Sequence, residues 1–238
     1  MADFVVLATA DWDHPLWTNK QHTALTLAAA GHRVLYVESL GIRPPRVGAA
    51  DRTRIVRRLR RMLQVPRQRR ERLWVWSPTV LPGGHSGLAL CFNRRLLQAG
   101  LLLARRWLGF TSPILWTYNP LTTRYLDLEG FAGSVYHCVD RIQDQPGMPV
   151  ARIETSEKAL SKAVDVVFVT SPQLLISHSR WNPQTLLFGN VADHAHFSRA
   201  RLGDTEGQLR CPERLKRVDK PRLIFMGAID AYKLDLGL

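Results

Sequence analysis

Between Asp11 and His22 the chain reads Asp11-Trp12-Asp13-His14-Pro15-Leu16-Trp17-Thr18-Asn19-Lys20-Gln21-His22, its densest mixture of carboxylate, imidazole, amide and indole. Indole faces can stack on a sugar ring, while carboxylates and amides can grip hydroxyl groups in pairs. The set suits a polyhydroxylated ligand. The plainer alternative is a loop packed by its two tryptophans, with His22 on a helix surface. A second constellation, Tyr136-His137-Cys138-Val139-Asp140, puts a histidine inside an apolar run and an acid at its end. His137 reads first as a hydrogen-bonded core histidine, which leaves Asp140 as the better-placed reactive group. His194 and His196 offer two metal-type ligands without a nearby third, so no metal is expected. No G-x-G-x-x-G, P-loop or G-x-S-x-G segment occurs, which argues against a nicotinamide dehydrogenase and against a serine hydrolase.

Elements that could position these groups are visible as short apolar runs: Phe4–Ala8, Arg33–Val37, Leu73–Trp76, Ile114–Trp116, Ser134–Val139, Val166–Val169, Thr185–Phe188 and Leu223–Met226. Most are continuous rather than alternating, as expected of strands covered on both faces. Helical stretches separate several of them, at Thr18–Ala30, Arg52–Leu63, Leu88–Leu108, Ala151–Ala163 and Pro172–Ser179. Strand and helix repeated in this way predict an α/β fold with a doubly wound parallel sheet. In such sheets ligands sit beyond the carboxyl ends of the strands. Those ends carry Asp11, Glu38-Ser39, Tyr118-Asn119-Pro120, Asp140, Thr170-Ser171-Pro172, Asn190 and Asp230. The organisation expected is one domain over residues 1–202, a linker over 203–221, and the start of a second domain over 222–238.

The formal charge of +13 is local. Residues 43–110 hold 16 arginines against Asp51 and Glu71, and the remainder of the chain is close to neutral. On a helical wheel Ile55, Val56, Leu59, Met62 and Leu63 form one stripe, with Arg54, Arg57, Arg58, Arg60 and Arg61 on the other side. Such a face can meet an anionic membrane, bind nucleic acid phosphates less favourably here, or simply be solvated. Three cysteines without a C-x-x-C fit a reducing compartment.

Taken together, Asn190-Val191-Ala192-Asp193 followed by Phe197, Leu223–Gly227 followed by Lys233, and the Asp11–His22, Tyr36–Ser39, Tyr136–Asp140 and Phe225–Asp230 segments resemble bacterial nucleotide-sugar-dependent glycosyltransferases of the GT-B fold, of the teichuronic-acid, cell-surface polysaccharide type. Asn190 stands before Val where many relatives have Gly, Arg141 follows Asp140 where a second acid is common, and Ala228 replaces a frequent arginine. The resemblance implies transfer of a sugar from a nucleotide-sugar co-substrate to a sugar or lipid-linked acceptor, with no further cofactor and no metal. It also implies that these residues form the acceptor half, inactive alone, because the chain ends before the paired-glutamate donor motif. Asp13, His14 and Asp140 are its catalytic candidates. Asp11, Trp12, Asn19, Lys20 and His137 are its acceptor-binding candidates, and Lys233 would meet the diphosphate. Retention of configuration needs no dedicated base, whereas inversion would call on Asp13 or His14. The implied location is cytoplasmic, on the inner face of the membrane. The alternative is a non-catalytic basic module that docks through residues 43–110.

Overall fold

The computed structural model describes residues 1–40, 65–78, 80, 87–202, 212–222 and 224. The Arg52–Leu63 helix with Arg54, Arg57, Arg58, Arg60 and Arg61, most of the Leu223–Met226 strand, Asp230 and Lys233 lie outside them. The chain divides into two units, Met1–Gly189 and Asn190–Leu238.

The first unit carries an eight-stranded sheet. Its strands are β1 (Asp3–Leu7), β2 (Arg33–Val37), β3 (Arg67–Arg70), β4 (Leu73–Trp76), β5 (Ile114–Thr117), β6 (Gly133–Cys138), β7 (Val166–Val169) and β8 (Thr185–Leu187). Their order is β3-β4-β2-β1-β5-β6-β7-β8, parallel throughout except for the β3–β4 hairpin. Helices α1 (Asn19–Ala29), α2 (Gly87–Leu108), α3 (Thr122–Tyr125), α4 (Val150–Ala163) and α5 (Pro172–Ser179) connect the strands. This is the doubly wound α/β sheet expected from the apolar runs.

Burial explains those continuous runs. In β1, Val5 and Leu7 enter one core with Leu97 and Leu101 of α2, while Phe4 and Val6 enter the opposite core with Ala24 of α1. Every second side chain therefore meets a different layer, so neither face tolerates polar residues. Local signals set the helix starts. Gln21 Oε1 accepts from the Thr18 backbone N–H at 3.0 Å, half of a capping box, and Ser171 Oγ accepts from Leu174 N at 3.3 Å just before Pro172. Gly31, at φ +88°, turns α1 into β2 in a left-handed conformation that favours glycine. At Gly100 a Cβ would come within 2.7 Å of the Trp76 ring, so a glycine lets α2 lie directly on β4.

The strand that apolar runs do not reveal is β3. Its residues Arg67, Gln68, Arg69 and Arg70 are all exposed. Among the described strands it pairs with β4 alone, at the sheet edge, where charged side chains are the usual guard against further pairing.

The second unit contains α6 (His194–Leu202) and α7 (Glu213–Lys216). Among the described residues no helix is long and apolar enough to cross a membrane.

Candidate functional site

The chain leaves β1 for β2 on one side and returns through β5 on the other, so the sheet's switch point lies between β1 and β5. The crevice beyond those two carboxyl ends is where an open α/β sheet receives a ligand. Three elements send polar side chains there: the start of α1, the loop after β5, and β6.

Tyr118 is the hinge of the group. Its hydroxyl donates to Thr23 Oγ1 at 2.8 Å, lies 3.3 Å from the Asn19 carbonyl, and is 3.1 Å from His137 Nδ1. With the phenol proton turned to Thr23, Nδ1 carries the imidazole hydrogen and Nε2 keeps the lone pair. Lys20 Nζ lies 5.7 Å from the centre of the Tyr118 ring, a cation–π contact. His137 sits in an aromatic box, with ring centres 4.8 Å from Tyr118, 5.9 Å from Trp116 and 6.1 Å from Phe168. Its Nε2 is buried and has no hydrogen-bond partner among the described residues.

Electrostatics follow from this packing. Burial, with the nearby Lys20 charge, takes the His137 pKa down to about 4, so the ring is neutral at pH 7. Burial pushes the Tyr118 phenol up to about 12. Burial also lowers the Lys20 pKa, and the Asp140 carboxylate opposes that shift. Lys20, Tyr118, His137 and Asp140 therefore act as one electrostatic group at the β1/β5/β6 strand ends. Asp140 itself is exposed.

The loop Asp11–Thr18 is held from beneath. The Tyr36 hydroxyl donates to the Ala10 carbonyl at 2.9 Å, and Trp12 N donates to Glu38 Oε1 at 2.8 Å. Ser77 Oγ donates to the other Glu38 oxygen, so this buried carboxylate ties β2, β4 and the loop together. Gln21 Nε2 donates to the Asp11 carbonyl at 3.1 Å. Trp12 is buried, its ring 5.1 Å from Tyr36 and 5.0 Å from Trp17, so Trp17 is the indole that this loop leaves to solvent. Asp13 pairs with Arg69 of β3 at 2.9 Å, both exposed, and His14 Nδ1 contacts the Leu16 backbone. The structure thus joins Asn19, Lys20, His137 and Asp140. It gives Trp12 a packing environment and turns Asp13 toward the sheet edge.

Tyr118 and Thr23 complete the group without having stood out in the sequence. Tyr118 was visible there only as one of several strand-end residues. A second cluster was not visible at all. On the opposite face of β6, Glu157 Oε1 accepts from the Tyr136 hydroxyl at 2.6 Å and from the Cys138 thiol at 3.5 Å, and lies 3.5 Å from His178 Nε2. Cys138, Glu157 and His178 are buried, with ligand-type atoms within 4.8 Å of one another. His178 Nδ1 is 3.0 Å from the Leu174 carbonyl, which can only accept, so Nδ1 bears hydrogen and Nε2 faces the carboxylate. Burial pushes the Glu157 carboxyl up, yet the adjacent His178 ring and the Tyr136 hydrogen bond outweigh it and hold the pKa below the usual carboxylate value.

No family model and no curated protein matches the chain. Among solved structures, it is similar to sucrose-phosphate synthase from Thermosynechococcus elongatus, at 14% identity and a TM-score of 0.51. That match covers 87% of this chain and 98% of the other. The likeness is one of fold: a Rossmann-type α/β architecture.

Proposed function

We infer that the first unit is the acceptor-binding half of a nucleotide-sugar-dependent glycosyltransferase, one that builds a cell-surface polysaccharide or glycolipid. The observation that carries this reading is the unpartnered Nε2 of His137, buried at the switch point beside Lys20 and Asp140. An unpaired buried polar atom costs about 1–3 kcal/mol, and a ligand hydroxyl would relieve it. Because the imidazole is neutral at pH 7, its lone pair can accept from such a hydroxyl without being lost to a proton.

In this reading Tyr118 fixes the imidazole, and Lys20 with Asn19 supplies donors to the ring oxygens of the acceptor. Asp140 stands at the open end, where a carboxylate can draw on the attacking hydroxyl. Transfer then breaks the bond from the anomeric carbon to the nucleotide diphosphate and forms one to the acceptor oxygen. The hydroxyl proton leaves toward the carboxylate or the departing phosphate. Holding the hydroxyl against the anomeric carbon is the main contribution such a half can make. Asp13 and His14 border the same loop and would govern its closure rather than the proton. Lys233 is the proposed diphosphate contact, and the proposed site of action is the cytoplasmic face of the membrane.

The test is NMR on the full chain with labelled histidine, titrated with glucose, galactose and N-acetylglucosamine. A saturable shift of the His137 signal, abolished in Lys20→Met or Asp140→Asn, is the expected result. Saturable shifts that gather at the other end of the sheet would reject the assignment.

A further inference from the structure

The longest described helix of the first unit has one face that no other described residue covers. Asn93, Leu97, Leu101 and Ala104 of α2 are buried against the sheet. At 3.6 residues per turn, Leu88, Phe92, Ala99 and Leu103 fall within about 60° of one another on the opposite side, with Leu102 and Trp107 flanking them. Their side chains are open to solvent: Leu88 is 90% exposed, Leu103 65%, Trp107 57% and Phe92 51%. This apolar stripe runs the whole 22-residue helix. Arg95 and Arg106 stand within it, exposed.

Charge identifies what this face can meet. From Arg72 to Leu126 the chain contains no Asp or Glu. Gly100 seats the helix on Trp76 of β4, and β4 pairs with β3, whose Arg67, Arg69 and Arg70 are exposed as well. The exposed face of α2 is apolar along a line and cationic along the same line, and the helix itself carries no acid. A protein partner would have to supply an apolar groove rimmed by carboxylates over the full helix length. An anionic bilayer offers both chemistries at every point: phosphates for the guanidinium groups, and acyl chains just beneath them. Arginine suits this arrangement, because its stem can lie along apolar surface while its head stays at the phosphates. An indole such as Trp107 belongs at the same depth.

We propose that the exposed face of α2 is an interfacial anchor that lies in the headgroup layer of an anionic membrane, with Phe92, Leu103 and Trp107 inserted and Arg95 and Arg106 on the phosphates. The anchor is independent of the switch-point residues, so it stands or falls apart from the proposed transfer reaction. It also differs from docking by charge alone, because apolar insertion is part of it.

The experiment is flotation of the full chain with vesicles of phosphatidylcholine alone or of equal parts phosphatidylcholine and phosphatidylglycerol, with tryptophan emission followed in parallel. Expected are binding to the anionic vesicles only, a blue shift lost in Trp107→Phe, and about tenfold weaker binding in Phe92→Ser/Leu103→Ser. Arg95→Glu/Arg106→Glu should weaken it to a similar extent. All four residues in these two double variants are exposed, and unchanged circular dichroism melting of each variant shows that folding is intact. Equal binding by wild type and the Phe92→Ser/Leu103→Ser chain would overturn the proposal in favour of plain electrostatic adsorption. Binding of RNA at physiological salt, with none to anionic vesicles, would overturn it in favour of nucleic acid.

Discussion

Two polar clusters flank the single strand β6, and they are built differently. On one face Tyr136 and Cys138, with His178 and Gln143, converge on one carboxylate, that of Glu157. On the other face His137 meets Tyr118 through one nitrogen and leaves the second nitrogen unpaired, beside a lysine and an exposed acid. The first cluster ties α4 and α5 to the sheet. The second ends at the strand tips, where a ligand can complete it. His178 Nε2 and Gln143 Oε1 of the first cluster are also buried without a hydrogen-bond partner among the described residues, so what sets the second cluster apart is its place at a crevice that a ligand can enter.

The comparison can be broken most sharply by substitution on each side. Glu157→Leu strips the partners from Tyr136 and Cys138 and leaves both buried; a loss of about 3–5 kcal/mol is expected, read by urea unfolding. His137→Phe removes an unpaired nitrogen and keeps the ring's packing, so its change should stay within about 1 kcal/mol. Equal losses from the two variants would erase the distinction.

Proton linkage sharpens it further. The unfolded chain takes a proton on His137 near pH 6.5, whereas the folded chain refuses it until about pH 4. Stability present above pH 6.5 is therefore lost as the pH falls between those values, by up to about 3 kcal/mol at 1.36 kcal/mol per unit. Urea midpoints followed from pH 7 to pH 4 should show this slope, and His137→Phe should flatten it. Glu157 acts lower. Its folded pKa lies below the ordinary 4.5, so its contribution is present above that value and disappears as the pH falls through the depressed one. Glu157→Gln should remove that acid limb and leave the His137 slope in place. The smallest effect expected is electrostatic. Lys20→Met takes a positive charge away from the imidazole, so the His137 pKa should rise when followed by NMR; an unchanged value would separate Lys20 from the site.

Much of the fold was legible because apolar runs repeat at strand length between helical stretches. The runs at Arg33–Val37, Leu73–Trp76 and Val166–Val169 coincide with β2, β4 and β7 residue for residue. Edge strand β3 was not legible, since four polar residues carry no burial signal and only pairing with β4 makes them a strand. Of the candidate site, Asn19, Lys20, His137 and Asp140 were singled out from the sequence, because an element's end can be read from the chain. That Tyr118 would stand between them could not be read, since residues 19, 118 and 137 meet only through the β1–β5–β6 order.

By itself, the sequence determined which layers alternate, where strands end, and that one segment is strongly basic. These are consequences of period and composition, and they need no knowledge of neighbours. Tertiary structure decided the rest. It turned Trp12 inward and Asp13 toward Arg69, set His137 in an aromatic box that keeps it neutral, and left the apolar stripe of α2 uncovered. Partnering and solvation depend on what lies across the fold, and residues remote in sequence supply both.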